Sequence, residues 1–483
     1  MAAASLVLTA VLTACSTPMP PKAQLGVQIS DTFRHAAAAE PAVAGAHWWA
    51  DFGDTELTHL IQQALDKNQN VLMALERVKA AQSGVTVQSS FMLPSVDAHV
   101  GAQRSSSGLP DAVKAAGQPD VRSFQGSLQL AWEVDLSGAL RAARDAATSD
   151  LASAEAGVVG SRLEVAAEVA RQYFIYRSAE KRLAVLEQLV QSKRQSAKVV
   201  AARVEQGESS SFELDLANAD ADALEAQIPA LRTALVGAQA AVATLLGSNP
   251  SESPISKRAD YVWPKVLPIG AGQPSDLLRR RPDLIAVEAR YSAETLRAVQ
   301  ARDQMWPRLF LGALVGREDL RLNGTDIAPV NFRNVALSFA MPIFNSGRIS
   351  AIADGRDAIA RQTLLEWQHT ALVAIQEVET SLAAKNGEDA RSLSVASELS
   401  RRQSAFKRVQ SLFREGQVNQ LTVQEVQRAV LAGELDAVDS SEKRLLSYVQ
   451  LFKALGGGWS REAHDGAKTV AVSMNAESQR NPK

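Results

Sequence analysis

The sequence predicts a mainly α-helical protein with a minority of membrane β-strands, built from one supersecondary plan used twice. Three observations carry this. Gly347 opens a proline-free stretch that reaches Gly416, 69 residues on, and Gly138 opens a matching stretch that reaches Gly207 over the same distance. Both are rich in Ala, Leu, Val, Glu, Gln and Arg, which helices favour or tolerate. Glycines recur at a fixed offset: Gly138 and Gly347, Gly207 and Gly416, Gly247 and Gly456 all stand 209 residues apart. Four other segments of about 10 residues change to a period of two, apolar on one face and small or polar on the other, the pattern of transmembrane barrel strands. At roughly 1.5 Å per residue each long helix measures about 100 Å. Ordinary helices average about 11–12 residues, so this length belongs to a coiled-coil or tube-like assembly.

Residues 1–14 read as an export signal. The apolar run Leu6–Ala14 is too short to span a bilayer. It ends in Leu12-Thr13-Ala14-Cys15, which resembles a lipobox, so Cys15 is the expected lipidation site. No Lys or Arg precedes the apolar run, a departure from the export-signal pattern. Cys15 is the only cysteine, which excludes an internal disulfide. Residues 15–46, rich in Pro and Ala, read as a lipidated, extended tether.

Repeat 1 is expected over 47–247. A helix Thr55–Ser90 is capped by Asp54 or Thr55 and carries the stripe Leu57, Leu60, Ile61, Ala64, Leu65. After Pro94 two strands follow, 95–104 and 123–134. In the first, Val96, Ala98, Val100 and Ala102 alternate with Asp97, His99, Gly101 and Gln103. An ordinary hairpin with one wet face satisfies the same pattern. The long helix follows, and then a return helix Phe212–Leu246. Residues 248–273, with four prolines, form a linker. Repeat 2 spans 274–459, with a first helix running to Met305 and strands at 308–316 and 334–343. The run Arg279-Arg280-Arg281 reads as a solvated surface turn with local ion pairs. Residues 460–483 read as a disordered tail.

Net charge is −2 and no basic patch stands out, which argues against nucleic acid as a partner. None of the 6 histidines falls in a metal-ligand spacing. There is no phosphate-binding glycine loop, nucleophile elbow or CxxC, so neither an enzyme nor a cofactor is expected. Four strands leave two open edges, which lipid does not tolerate, so closure needs several chains: two give 8 strands, three 12, four 16.

Trp48-Trp49, the series Asp54, Leu57, Leu60-Ile61 and Ala64-Leu65, Arg280-Arg281-Pro282-Asp283, Met305–Pro307, Gly416 with Leu421-Thr422-Val423, and Leu455-Gly456-Gly457-Gly458-Trp459 together resemble the TolC-type outer membrane efflux proteins. With its lipobox the chain is most similar to their NodT-like lipoprotein branch. The resemblance covers residues 47–459. It implies a homotrimer whose 12-stranded outer membrane barrel continues into a periplasmic α-helical tunnel. It implies a passive channel working with a periplasmic adaptor and an inner membrane resistance–nodulation–division pump. It also implies a gate at the helical turns Gly207–Ser211 and Gly416–Gln420. The positions matching the family's apolar and acidic pair are Leu421 and Glu425, one helical turn apart. Glu425 stands where the family often has Asp. By the 209 offset Phe212 matches Leu421 and is expected to line the same aperture. A solvated Glu beside a packed Leu accounts for the same residues. A coiled-coil scaffold is a different class of reading, and predicts a protein soluble without detergent. A periplasmic adaptor would carry β-rich lipoyl and barrel domains around one hairpin, which this chain does not show.

Overall fold

The computed structural model describes residues 23–24, 26, 28–36, 45, 47–106, 108–115, 120–258, 260–265 and 270–457. Cys15, the expected signal and the expected tail lie outside the described residues. A 3₁₀ turn, Trp48–Phe52, precedes helices α1 (Thr55–Lys67) and α2 (Gln69–Ser90). Strand β1 (Ser95–Ser105), the short helix α3 (Asp111–Ala115) and strand β2 (Val121–Val134) follow. The long helix α4 (Ala139–Glu205) then returns through α5 (Ser211–Glu225) and α6 (Ile228–Leu245). The second repeat holds α7 (Pro274–Arg280), α8 (Pro282–Asp303), β3 (Arg308–Leu322), β4 (Thr325–Asp326), β5 (Val330–Ala340), α9 (Arg348–Arg414) and α10 (Gln420–Ala454).

The duplication is visible in the backbone. Helices α4 and α9 each have 67 residues and start 209 apart (348 − 139). Helices α2 and α8 each have 22 residues and start 213 apart (282 − 69). The four extra residues of the first repeat therefore lie between its first helix and its long helix, in the hairpin region.

The helices expected to be continuous are interrupted in three places. The first breaks at Asn68, whose extended ψ of 130° takes it out of the helix. Its carboxamide oxygen accepts from the N–H of Asn70 at 2.8 Å and so caps α2. The helix expected to run from Pro274 to Met305 breaks at Arg281, held extended by the following Pro282. The return helix of repeat 1 breaks at Ala226-Gln227, because Pro229 has no N–H and its ring would clash with the carbonyl four residues earlier. Its counterpart α10 lacks that proline and runs 35 residues unbroken.

The two repeats close in the same way. Asn68 Nδ2 donates to the carbonyl of Leu245 at 2.9 Å. Arg281 Nη1 donates to the carbonyl of Ala454, the equivalent residue, at 3.2 Å. Arg281 is buried and also pairs with Asp283 at 2.7 Å and Glu377 at 2.6 Å. This corrects the solvated-turn reading for the third arginine of the run: its ion pairs are real, but the arginine itself is buried while both carboxylate partners stay partly exposed.

The chain forms two compact units, and each draws on both repeats. One holds the strands, with segments Glu76–Glu155 and Ala286–Gln368. Its strands run antiparallel in the order β1-β2-β3-β5, with the two-residue β4 also on β3, so β1 and β5 are the edges. Register gathers the apolar positions on one face: Val96 faces Leu130, Leu128 faces Val315, Leu311 faces Leu337 and Leu309 faces Phe339. Many are highly exposed, with Val100 at 75% and Leu337 at 72%. Strand β3 outlasts its expected end at 316, because Arg317, Asp319 and Arg321 continue the ladder after the apolar alternation stops. Strand β5 starts earlier than expected and ends at Ala340, just short of Pro342, which cannot donate to a ladder. On the opposite face the Phe332 ring packs on Gly316, where a Cβ would stand 2.5 Å from the ring.

The second unit is helical: Gly26–Leu75, Ala156–Ile285 and His369 onward. Its core centres on Trp48, which stacks on Phe452 at 4.9 Å, and on Phe52, edge-on to Phe174 at 5.2 Å. Fully buried Arg177 ties the start of the chain to the linker. It donates to Glu56, to Glu180 at 2.8 Å and to the Ser256 carbonyl at 2.8 Å, and lies over the Tyr173 and Tyr261 rings. Burial pushes the Glu56 carboxyl up, but hydrogen bonds from Ser256 and the charges of Arg177 and Arg258 outweigh it and hold the group below its ordinary value. Part of the expected tether is docked: Phe33 is buried, and the Arg34 N–H donates to Glu379 at 2.8 Å.

Within this unit ion pairs give a lateral order. Arg194 of α4 pairs with Asp222 of α5, Arg182 of α4 with Asp439 of α10, and Arg391 of α9 with Asp439. Helix α10 is flanked on both sides and exposes no large apolar side chain. The outer members, α5–α6 and α9, expose Phe212, Leu216, Val236, Leu372, Leu393 and Phe413.

The glycines that end helices carry different constraints, as Gly247 after a return helix and Gly416 after a long helix show. Gly247 has φ 67° and a Cβ there would stand 2.8 Å from the Lys67 carbonyl. Gly416 has φ 74° but open space around it. Gly416→Ala is expected to cost about 1–2 kcal/mol for the left-handed backbone alone. Gly247→Ala should cost clearly more, because the Lys67 carbonyl must also move. Helix melting followed by circular dichroism in detergent checks the order, and equal losses would refute the steric argument.

Candidate functional site at the helical turns

Both long helices stop alike. Gly207 and Gly416 take φ 75° and 74°. The Glu208 N–H reaches the Arg203 carbonyl at 2.8 Å and the Gly207 N–H that of Val204 at 3.0 Å. The matching bonds in repeat 2 are Gln417 to Leu412 at 2.9 Å and Gly416 to Phe413 at 3.0 Å. These are Schellman caps, which satisfy terminal carbonyls with a left-handed residue. The return helices then start under side-chain caps. Ser210 Oγ accepts from the Glu213 N–H at 3.3 Å, and Asn419 Oδ1 from the Thr422 N–H at 2.9 Å. The turns are thus short and fixed at both ends.

Phe212 and Leu421 are the second residues of α5 and α10, equivalent positions of two return helices. Phe212 is 72% exposed and Leu421 half-buried. Glu425 lies one turn beyond Leu421 on the same face of α10. It is exposed and has no hydrogen-bond or ion-pair partner among the described residues. Leu421 and Glu425 therefore present an apolar and an acidic group together, and Phe212 stands on the other turn.

The sequence reading missed what holds this face in place. Gln424, between the two, turns the opposite way and is buried. The Ser196 hydroxyl of α4 donates to Gln424 Oε1 at 2.6 Å and accepts from Arg428 Nη1 at 2.8 Å. Two turns on, Gly433 lets α10 approach α9: a Cβ there would meet Arg402 at 3.1 Å and Leu399 at 3.3 Å. Arg402 also donates to the Ala429 carbonyl at 2.6 Å.

Asp439 is the hub of the brace. It accepts from Arg182 of α4 at 2.6 Å, Arg391 of α9 at 2.9 Å and Lys443 at 3.0 Å. Burial pushes its carboxyl up, but hydrogen bonds from Lys443 and Arg391 and the charges of Lys443 and Arg182 win, so it sits below the ordinary 3.8. Asp389 of α9 binds Arg444 Nε at 2.5 Å and the Tyr448 hydroxyl at 3.0 Å. Burial and that carboxylate push the Tyr448 phenol up to about 12, so it stays a donor. The partners lie 257 residues apart for Arg182 and Asp439, and 228 for Ser196 and Gln424, so no local pattern announces them. The arrangement holds a helix face in position. It offers no nucleophile paired with a base.

Residues 60–248 and 273–457 match the family described as "Outer membrane efflux protein". The chain is 28% identical to the pyoverdine export outer membrane protein OpmQ of Pseudomonas putida, over 95% of this chain and 97% of that one. It is 25% identical to nodulation protein T of Rhizobium leguminosarum bv. viciae, over 99% of each. Its fold is that of the CmeC outer membrane channel of Campylobacter jejuni, with a TM-score of 0.81, 20% identity, and 92% of this chain and 96% of that one covered. The duplicated hairpins, the four-stranded antiparallel sheet and these likenesses agree: the chain belongs to the outer membrane efflux proteins.

Proposed function

We propose that the protein is the outer membrane channel of a tripartite efflux system, a passive homotrimer that carries drugs or toxic small molecules from an inner membrane pump to the exterior. The observation that carries this is the sheet: one apolar face, and two edges, β1 and β5, with unpaired backbone. Hydrocarbon does not tolerate open edges, and three copies give a closed 12-stranded outer membrane barrel. A barrel of 8 would be filled by side chains, so two copies leave no conduit. The helical unit supports the same assembly, since both of its outer helices expose apolar side chains. Three such units form the periplasmic α-helical tunnel. A coiled-coil scaffold would leave Val96, Val100 and Leu337 in water and gives no reason for their common face.

The channel works with a periplasmic adaptor and an inner membrane resistance–nodulation–division pump. The exporters among its relatives support this, pyoverdine export being the named task of one of them. The chain is anchored in outer membrane lipid by acylation of Cys15 as well as by its barrel. At the turns, three copies of Leu421 and Glu425 form the periplasmic gate, and Phe212 lines the same aperture. The Asp439 brace holds α10 in the closed position, and the partners open it.

The mass of the detergent-extracted oligomer, with outer membrane fractionation of wild type and Cys15→Ser, tests the channel. A trimer in the outer membrane supports it, and a water-soluble monomer or dimer hands the case to the scaffold. In planar bilayers Glu425→Gln is expected to lower cation-over-anion permeability several-fold, because a carboxylate ring selects by charge. Leu421→Ala should raise conductance. Unchanged selectivity and conductance would remove both residues from the aperture.

The brace predicts a pH effect of known sign. Asp439 has a depressed folded-state pKa, so its contribution is complete above the ordinary 3.8 and is lost as pH falls through the lower folded value. Asp439→Asn should cost about 1–3 kcal/mol at neutral pH. The melting difference from wild type should shrink toward zero in strong acid. The same variant should open more readily in bilayers. A melting difference that persists unchanged in acid would show that the charge of Asp439 is not what braces α10.

A further inference from the structure

At the hairpin-turn end of the sheet, the apolar face ends in arginine. Period two puts Arg104, Arg122, Arg317, Arg321 and Arg333 on the same face as Leu128, Leu311 and Leu337. All five are exposed. Three stand in one row across neighbouring strands: Arg104 faces Arg122, and Arg122 faces Arg321. Like charges directly opposite each other destabilise a sheet. The row is only partly compensated. Arg321 pairs with Asp326 at 2.7 Å, and Arg317 with Asp319 at 3.0 Å. Arg104, Arg122 and Arg333 have no carboxylate partner among the described residues. Beside the row is a recess of 460 Å³ lined by Arg122, Phe124, Asp319, Arg321, Asp326 and Ile327.

We propose that this arginine row is a binding site for the phosphate groups of phosphorylated lipids in the outer leaflet of the outer membrane. The inference rests on the channel reading, which makes the apolar face the lipid face. Helices α2 and α4 leave from the other end of the strands, so in a channel with periplasmic helices the arginine end faces outward. Just beyond an apolar band lie the headgroups, and there the ligand must be anionic to relieve the repulsion between Arg104 and Arg122. Every cation on this face is arginine, whose planar fork grips phosphate oxygens in pairs where lysine offers a point charge. Phe124, in the recess, gives the acyl side of the same lipid an apolar contact. Asp319 and Asp326 limit the site to the arginines they leave free.

The test uses the full-length protein in mild detergent, with bound lipid counted by native mass spectrometry. The probes are diphosphorylated lipid A, the same lipid after enzymatic dephosphorylation, and inorganic phosphate as competitor. Wild type is expected to bind the diphosphorylated lipid at least ten-fold more tightly than the dephosphorylated one. Arg104→Gln/Arg122→Gln/Arg333→Gln should lose that preference, while Arg408→Gln, on the helical unit, keeps it. No preference in wild type, or a preference retained by the triple variant, overturns the proposal. So does displacement of the lipid by millimolar inorganic phosphate, which would make this a site for free anion. Wild type decides the matter by itself if the triple variant does not assemble. The same spectra report oligomer mass: a trimer without lipid preference keeps the channel and discards this site, whereas a soluble monomer discards both.

Discussion

Everything in this chain answers to one constraint, the unpaired backbone at the two edges of a four-stranded sheet. A strand edge in water finds hydrogen bonds anywhere. In hydrocarbon it finds them only in another strand. The chain supplies strands with an apolar face and too few of them to close on themselves. Its helical unit repeats the design with side chains in place of backbone, since the outer helices α5–α6 and α9 expose apolar residues while α10 between its neighbours does not. Both units are incomplete at their flanks, and identical copies complete both at once. Gene duplication explains why four strands come in two similar hairpins. The bilayer explains why four do not suffice.

The two repeats form two equivalent frameworks that differ in their return helices. The capping glycines and the clamp from the helix break to the last carbonyl recur, with Asn68 in one repeat and Arg281 in the other. The return helices have diverged. Pro229 breaks the first, and nothing breaks α10. An unbroken helix transmits a displacement along its length, so α10 is the better carrier for the gate proposed above. Its acidic brace sits midway, where Asp439 contacts both long helices. In the proposed gate, release at that point frees the segment bearing Leu421 and Glu425.

The frame was legible because it rests on local chemistry. Glycines with positive φ bound the long helices, before them at Gly138 and Gly347 and after them at Gly207 and Gly416, and their spacing exposed the repeat. Strands on a lipid face must alternate, and Val96 to Ala102 do. The helix breaks at Asn68 and Arg281 were harder to read: asparagine caps helices but also sits inside them, and the proline after Arg281 was visible without its consequence. The brace was beyond local reading altogether. Arg182 and Asp439 are ordinary charges in a sequence that has 104 Lys, Arg, Asp and Glu residues, and only the fold selects that pair. The same holds for Phe33, an aromatic in a proline-rich segment that gains meaning only from the core it enters. Leu421 and Glu425 are gate candidates by resemblance alone. The geometry then supplied what resemblance lacks, a buried Gln424 that fixes which way their face points.

The arginine row extends the same reasoning to the sheet. A membrane strand is usually treated as an apolar band with polar ends, and charges at those ends as solubilising. Solubility, however, does not require like charges in register. Arg104, Arg122 and Arg321 could alternate with carboxylates, as Arg317 does with Asp319 one step away. Where a sheet keeps uncompensated repulsion between neighbours, something outside the chain must carry the opposite charge. Counter-ions from solution would serve if the row faced the lumen. On the lipid face the nearest anions are the headgroups themselves, held at the height where the apolar side chains stop. The unpaired edges need other copies of the chain, and the arginine row needs the membrane.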